Sequence, residues 1–355
     1  MTFAARTLGY TSQQGVNNFT TPASMNGSTT YANIQAVTVR NSSGLFVAVG
    51  VDSSIAPLYA TSNDGYTWST PARMNSSSAV ANMVSVTASP VIFVAVGRDN
   101  TNAPLYATSS NGYTWSTPAR MAGSSAIAVI RDVVFDPGLS LFVAVGNGST
   151  NQPIFAASAN GSTWTTPAAM NGSTVRASMA SVTVNSSSLF VAVGYNASSY
   201  PLYATSTDGT TWTTPALMNG STATALMYGV TVNSSGLFVA VGYNGSGYPV
   251  YATSSNGSTW TTPALMNGST TAAYMYSVTV NSSGKFVAVG YDSTNAPLYA
   301  TSTDGTTWIT PALMNGSTSP SMMQDVTVNS SGLFVAVGLT AFTVGVPVSA
   351  YGVFP

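Results

Sequence analysis

The pentapeptide Phe-Val-Ala-Val-Gly occurs seven times in 355 residues, beginning at Phe46, Phe93, Phe142, Phe190, Phe238, Phe286 and Phe334. A tryptophan follows a short turn in a fixed phase to it, at Trp68, Trp115, Trp164, Trp212, Trp260 and Trp308. Both markers recur about every 48 residues. A unit of that size cannot bury its apolar faces alone. Each must pack on its neighbours, so the fold is a stack or a ring of similar units. Repetition also lifts the usual size limit on one core, and residues 1–355 are expected to form a single domain.

The fourth unit shows the local pattern. Residues 181–185 are alternating and β-branched, and 189–194 are a short apolar run of the kind buried on both faces. A polar loop, 195–200, leads to a third strand over 201–205 that opens on proline, where a missing N–H costs least. Asp208-Gly209 is a hairpin signal, and 211–214 read as a fourth strand stopped by Pro215. No segment has useful helical periodicity. Four short strands joined by tight turns make one blade, so the chain reads as an all-β, seven-bladed β-propeller of four-stranded blades. A linear β-solenoid is the rival, but its coils are usually shorter and need no hairpins. The last unit lacks its tryptophan strand, and residues 19–23 match residues 212–216. A strand at about 16–23 is therefore expected to complete the last blade and leave no open edge. Residues 11–15 also resemble the segment before a tryptophan, so the third strand of that blade could come from either terminus.

Charged residues make up 5% of the chain, against about 25% in ordinary domains. Glutamate, histidine and cysteine are absent, and the net charge is −1. No electrostatic footprint for nucleic acid or anionic membrane exists, and no run approaches the ~20 apolar residues of a spanning helix. The acidic and amide stretch 99–102 lacks the alternating carboxylates of a calcium loop and reads as a polar loop. No metal, no cofactor, no nucleic-acid partner and no membrane insertion are expected. The first six residues carry no apolar signal-peptide stretch.

The turns before the tryptophans pair Asp64 with Trp68, Asn111 with Trp115, Asn160 with Trp164, Asp208 with Trp212, Asn256 with Trp260 and Asp304 with Trp308. These turns resemble the Asp-box repeats of bacterial neuraminidases and many non-catalytic propellers. Two departures stand out: one residue fewer separates Asp from Gly, and three of the six Asp positions are Asn. The resemblance implies structural hairpins on the face away from a ligand. The residues themselves read the same way, since a short polar side chain bonds backbone N–H groups in a turn and an indole anchors neighbouring sheets. Sialidases with this repeat need an arginine triad, a tyrosine nucleophile paired with glutamate, and an aspartate acid/base. Here glutamate is missing, and so is any Phe/Tyr-Arg-Ile-Pro motif. Without His or Cys, the usual acid–base and nucleophilic arrangements are also lacking. The chain is expected not to be an enzyme and no catalytic residue is assigned; a sialidase-like glycoside hydrolase is the enzyme alternative.

In a propeller, the loops from second to third strand and from outer strand to next blade share one face. The segments 195–200 and 218–228 and their equivalents place Tyr195, Tyr228, Tyr243 and Tyr276 there, with rings suited to sugar stacking. The divergent first half adds Arg73, Arg98, Arg120 and Arg131, candidates for reading an acidic group through paired N–H donors. The same residues also describe ordinary polar loops and solvated charges. Methionine recurs in two registers, including Met74 and Met83, as core packing or as an apolar ring around the channel. The sequons at Asn26, Asn147, Asn171, Asn219, Asn267 and Asn315 read as glycan acceptors or as plain turns.

The expected role is recognition or assembly at a virion, appendage or cell surface, including multivalent, lectin-like glycan binding through loops of one face. The expected partner is a glycan or protein surface, with self-assembly open, and the expected location is extracellular or on a virion. The rival is a purely structural particle or filament subunit packing through its broad faces. An intracellular interaction hub is disfavoured by the scarcity of surface Arg and Trp.

Overall fold

The computed structural model describes residues 18–77, 80–123, 127–340 and 345–354. They form seven four-stranded antiparallel sheets, each a simple meander. In blade one the strands are Ala32–Arg40 (inner), Leu45–Asp52 (second), Pro57–Ser62 (third) and Ala72–Arg73 (outer). The other inner strands are Ala81–Ala88, Ala128–Asp136, Ala177–Val184, Ala225–Val232, Ala273–Val280 and Ser321–Val328. All seven line one central channel. The molecule is a seven-bladed propeller.

The pentapeptide is the second strand of each blade, and its alternation builds the ring. In blade one, Phe46 and Ala48 pack on Leu333, Val335 and Val337 of blade seven. Val47 and Val49 turn the other way, onto Met83, Phe93 and Trp115 of blade two. Successive strand side chains point to opposite faces, so one strand supplies half of two blade interfaces. Seven such clusters ring the channel. Both methionine registers, such as Met74 and Met83, are fully buried in these clusters. They pack in the clusters between blades, and none of them lines the channel.

The glycine closing the pentapeptide has a separate task. A Cβ on Gly50 would lie 1.9 Å from the Asn33 carbonyl oxygen. That close approach accompanies a β-bulge: Ile34 faces Gly50 and Ala36 faces Val49, leaving Gln35 unopposed. The bulge recurs in all seven inner strands.

The fourth strand lies elsewhere than expected. In blade four it is Ala216–Leu217, beyond Pro215, instead of 211–214. The Thr205 N–H is taken by the Thr213 hydroxyl at 2.9 Å instead of a strand carbonyl. Pro215 has no N–H to give, so the ladder resumes only after it. Trp212 therefore sits just outside the ladder, buried. Its indole N–H donates to the Gly209 carbonyl at 3.3 Å. In the turn before Trp68, Asp64 Oδ1 accepts the N–H of Tyr66 and Thr67 at 2.8 and 2.7 Å. Asn111 Oδ1 accepts Tyr113 and Thr114 in the same way, both at 2.9 Å. Only one oxygen is used, which is why Asn and Asp exchange freely here. Asn160, Asp208, Asn256 and Asp304 repeat the turn, and Trp164, Trp260 and Trp308 donate to the matching glycine carbonyls.

Closure follows the expected plan with one ambiguity resolved. The C-terminal segment supplies Ser321–Val328, Leu333–Thr340 and Pro347–Val353, and Ala23–Ser24 adds the outer strand. Ala23 pairs with Ser349, and Phe19 bridges Gly352. The third strand of this blade thus comes from the C-terminal end; residues 11–15 of the competing reading lie outside the described residues. Phe19 is fully buried, its ring 5.7 Å from Tyr299 and 5.4 Å from Phe354.

The sequon asparagines stitch blade to blade. Asn219 has φ 47° and its side-chain amide donates to the Thr262 hydroxyl of the next blade at 2.7 Å. Asn26, Asn171, Asn267 and Asn315 do the same toward Thr70, Thr214, Thr310 and Thr21. Asparagine tolerates left-handed backbone and carries the donor, so these positions have a structural use. Asn147 is different: its side-chain oxygen accepts from Arg131 and Ser178.

Candidate ligand-binding face

The second-to-third loops and the entries to the inner strands lie at one end of the ring, tied together by backbone bonds. The Ser199 carbonyl accepts the N–H of Ala225 at 2.8 Å, and each loop caps the next blade's inner strand likewise. A side-chain oxygen sets each loop: Asn196 Oδ1 accepts Ser198 and Tyr200 N–H at 3.0 and 2.9 Å. The 99–102 stretch is such a turn, with Asp99 Oδ1 accepting the N–H of Thr101 and of Ala103. Burial works to raise the Asp99 carboxyl, but the Thr101, Ala103 and Arg120 bonds outweigh it and hold it at about 2.

On this rigid end, variability concentrates at three positions per blade. The residue after the pentapeptide glycine is Arg98, Asn147, Tyr195, Tyr243 and Tyr291 in blades two to six. The unopposed bulge residue is Arg131, Ala180, Tyr228 and Tyr276 in blades three to six. The residue after it is Ala36, Ser85, Asp132, Ser181, Gly229, Ser277 and Asp325 around the ring. A bulge aims two consecutive side chains to the same side, so both positions line the channel.

Tyr195, Tyr228, Tyr243 and Tyr276 come together, joined by Tyr274 and Tyr291. Tyr228 stacks on Tyr243 at 5.4 Å and Tyr276 on Tyr291 at 5.2 Å. Tyr195 contacts Tyr228 at 5.6 Å, Tyr228 contacts Tyr276 at 4.9 Å, and Tyr274 meets Tyr243 edge-on at 4.9 Å. The hydroxyls of Tyr228 and Tyr243 lie 3.2 Å apart, and Tyr291 donates to Tyr276 at 3.0 Å. Burial first, then these hydrogen bonds, pushes the Tyr228 and Tyr276 phenols well above their ordinary range, so both stay neutral. All six rings are half-buried. Tyr228 and Tyr276 stand within inner strands instead of the loops expected for them.

The four arginines do not form one group. Arg73 and Arg120 lie on outer strands and pair with Asp52 and Asp99 at 2.6 and 2.7 Å. That engagement sets them apart from Arg98 and Arg131, on blades two and three, which are near enough for their charges to repel. Burial, then the Arg131 charge, lowers the Arg98 guanidinium. Arg176, at the entry to blade four, lines a pocket of about 410 Å³ together with Arg131, Asn147 and Tyr195.

Deeper in the channel sit two half-buried aspartates, Asp132 and Asp325. Asp132 accepts Ser85 and Ser181 hydroxyls at 2.7 and 2.9 Å and the Val182 N–H at 2.9 Å, joining blades two, three and four. Asp325 accepts the Ser277 hydroxyl at 2.6 Å and the Val37 N–H at 2.8 Å, joining blades six, seven and one. Burial raises both; Asp325 is pushed up to about 7, with Asp132 adding to the rise. Arg176, Tyr274, Tyr291, Asn147 and this carboxylate pair were missed by sequence reasoning. The signal was present, since these positions vary between otherwise matching blades.

No protein-family model matches the chain, and no curated protein matches it in sequence. Among solved structures it is similar to YCF48 bound to D1 peptide, with TM-score 0.65 at 15% identity, over 97% of this chain and 100% of that one. It is also similar to a lectin from Burkholderia pseudomallei, with TM-score 0.71 at 13% identity, over 91% and 96%. A GH74 xyloglucanase from Xanthomonas campestris has TM-score 0.60 at 11% identity, over 90% of this chain and 52% of that one. At these identities the likeness is one of fold.

Proposed function

We propose that this protein is a non-catalytic recognition module that binds glycans at the channel mouth of one face. The tyrosine cluster carries the reading. Three consecutive blades present rings at matching positions, half-buried and held by mutual stacking, so little conformational freedom is lost when a sugar packs on them. Polar loops with a single charge, Asp292, follow Tyr195, Tyr243 and Tyr291, and the fold is one that a lectin also uses. The channel carboxylates do not argue for catalysis, because their oxygens are occupied by hydroxyls and amides of neighbouring blades. The setting we propose is a virion, appendage or cell exterior.

A glycan-array screen with the purified ring tests the reading, with Tyr243→Ala alongside and circular dichroism to verify its fold. A defined sugar class should bind, and Tyr243→Ala should weaken it about tenfold. A blank array, or equal binding by a folded variant, would reject this reading and favour a structural subunit packing through its faces.

A further inference from the structure

We propose that the recess between blades three and four is a single acidic-ligand subsite, taking the carboxylate of an acidic sugar between Arg131 and Arg176. This rests on the glycan reading above. The recess exists because two tyrosines are missing. Between blades four and five the rim is filled by Tyr195 against Tyr228, and between five and six by Tyr243 against Tyr276 at 6.2 Å. At the same two positions, blades three and four carry Asn147 and Ala180. Smaller side chains leave the pocket of about 410 Å³, a size ordinary for a small-molecule site, with Tyr195 on its wall.

Arg131 is positioned, and neither it nor Arg176 has an acidic partner among the described residues. Arg131 donates through Nε to Asn147 Oδ1 at 3.1 Å. Asn147 is buried, its oxygen also accepts the Ser178 hydroxyl at 3.3 Å, and its amide donates to Asn151 at 3.3 Å. Those contacts orient Asn147 and hold the guanidinium by its Nε. The two terminal nitrogens of Arg131 then have no acceptor among the described residues, leaving the edge that binds a carboxylate in bidentate fashion. Arg176 likewise has no acidic partner there, and Arg98 adds positive potential from blade two. By contrast, Arg73 and Arg120 each hold an aspartate. Asp132 adjoins Arg131 in sequence, but its oxygens are taken by blades two and four. Among the described residues the sevenfold scaffold therefore carries one such site, not seven.

Isothermal titration with glucuronic acid, glucose and benzoate tests this on the intact ring, with Arg131→Met, Arg176→Met and Arg73→Met. Glucuronic acid should bind one per chain and weaken with added salt. The first two variants should lose about tenfold or more in affinity, and Arg73→Met should not. Glucose binding as well as glucuronic acid, with Arg131→Met unaffected, would overturn the subsite and leave the glycan reading standing. Benzoate binding that depends on Arg131, with neither sugar bound, would support an anion site but reject its sugar ligand and the glycan reading. No binding by any probe would overturn both.

Discussion

Asp325 makes the ring's stability fall as pH rises. Its carboxyl is carried from about 3.8 in the unfolded chain to about 7 in the channel, by burial first and by Asp132 in addition. The folded state therefore holds the proton more tightly. Below pH 3.8 the group is protonated in both states and costs nothing. Between 3.8 and 7 the unfolded chain ionises while the folded ring must keep its proton or bury a charge, and above 7 the full penalty stands. That interval corresponds to about 4 kcal/mol. Asp132 is raised in the same direction; Arg131, Tyr228 and Tyr276 are the other titratable groups lining the channel. Asp325→Ala removes the penalty together with an acceptor. Val326 keeps the Ser277 hydroxyl at 3.3 Å, but the Val37 N–H is orphaned, at about 1–3 kcal/mol. At pH 5 the parent already carries about 1.6 kcal/mol of that penalty, so the variant should lie close to the parent there and should be the more stable of the two, by about 1–3 kcal/mol, at pH 8.5. Urea unfolding at both pH values reads the difference. A parent whose stability rises over that range, or a deficit in the variant that does not change with pH, would refute the reasoning.

Closure, bulge and stitching each give a further test. Phe19→Ala should cost about 3–5 kcal/mol, since a fully buried ring holds the closing strand to blade seven; an unchanged melting temperature would contradict its place there. Gly242→Ala puts a Cβ 1.8 Å from the Leu226 carbonyl oxygen, so soluble, cooperatively folding protein should fall sharply; normal yield and melting would show that the bulge can relax. Asn219→Ala should lower stability by about 1 kcal/mol through the lost bond to Thr262, and urea midpoints of this variant and of Thr262→Val should not add, because both remove one contact.

The repeat alone determined the ring. A unit of about 48 residues carrying one two-faced apolar strand can bury both faces only between copies of itself, and a final unit lacking its last strand called for the N-terminal segment. Burial of Trp212 and the turn at Asp208 also follow from local chemistry, which sequence records directly. The outer strand escaped because a side chain decides it: the Thr213 hydroxyl takes the N–H that a ladder carbonyl would have taken. The site escaped more completely. Strict alternation places Arg131 and Asp132 on opposite faces, and only the bulge turns both into the channel. Likewise Asp325 meets the Val37 N–H across 288 residues of chain. Which arginines are free is settled by Asp52 and Asp99 reaching outer strands 21 residues away. Periodicity reports what neighbouring residues share. The tertiary structure decides what the closed ring brings together, because each inner strand meets the others only at the axis.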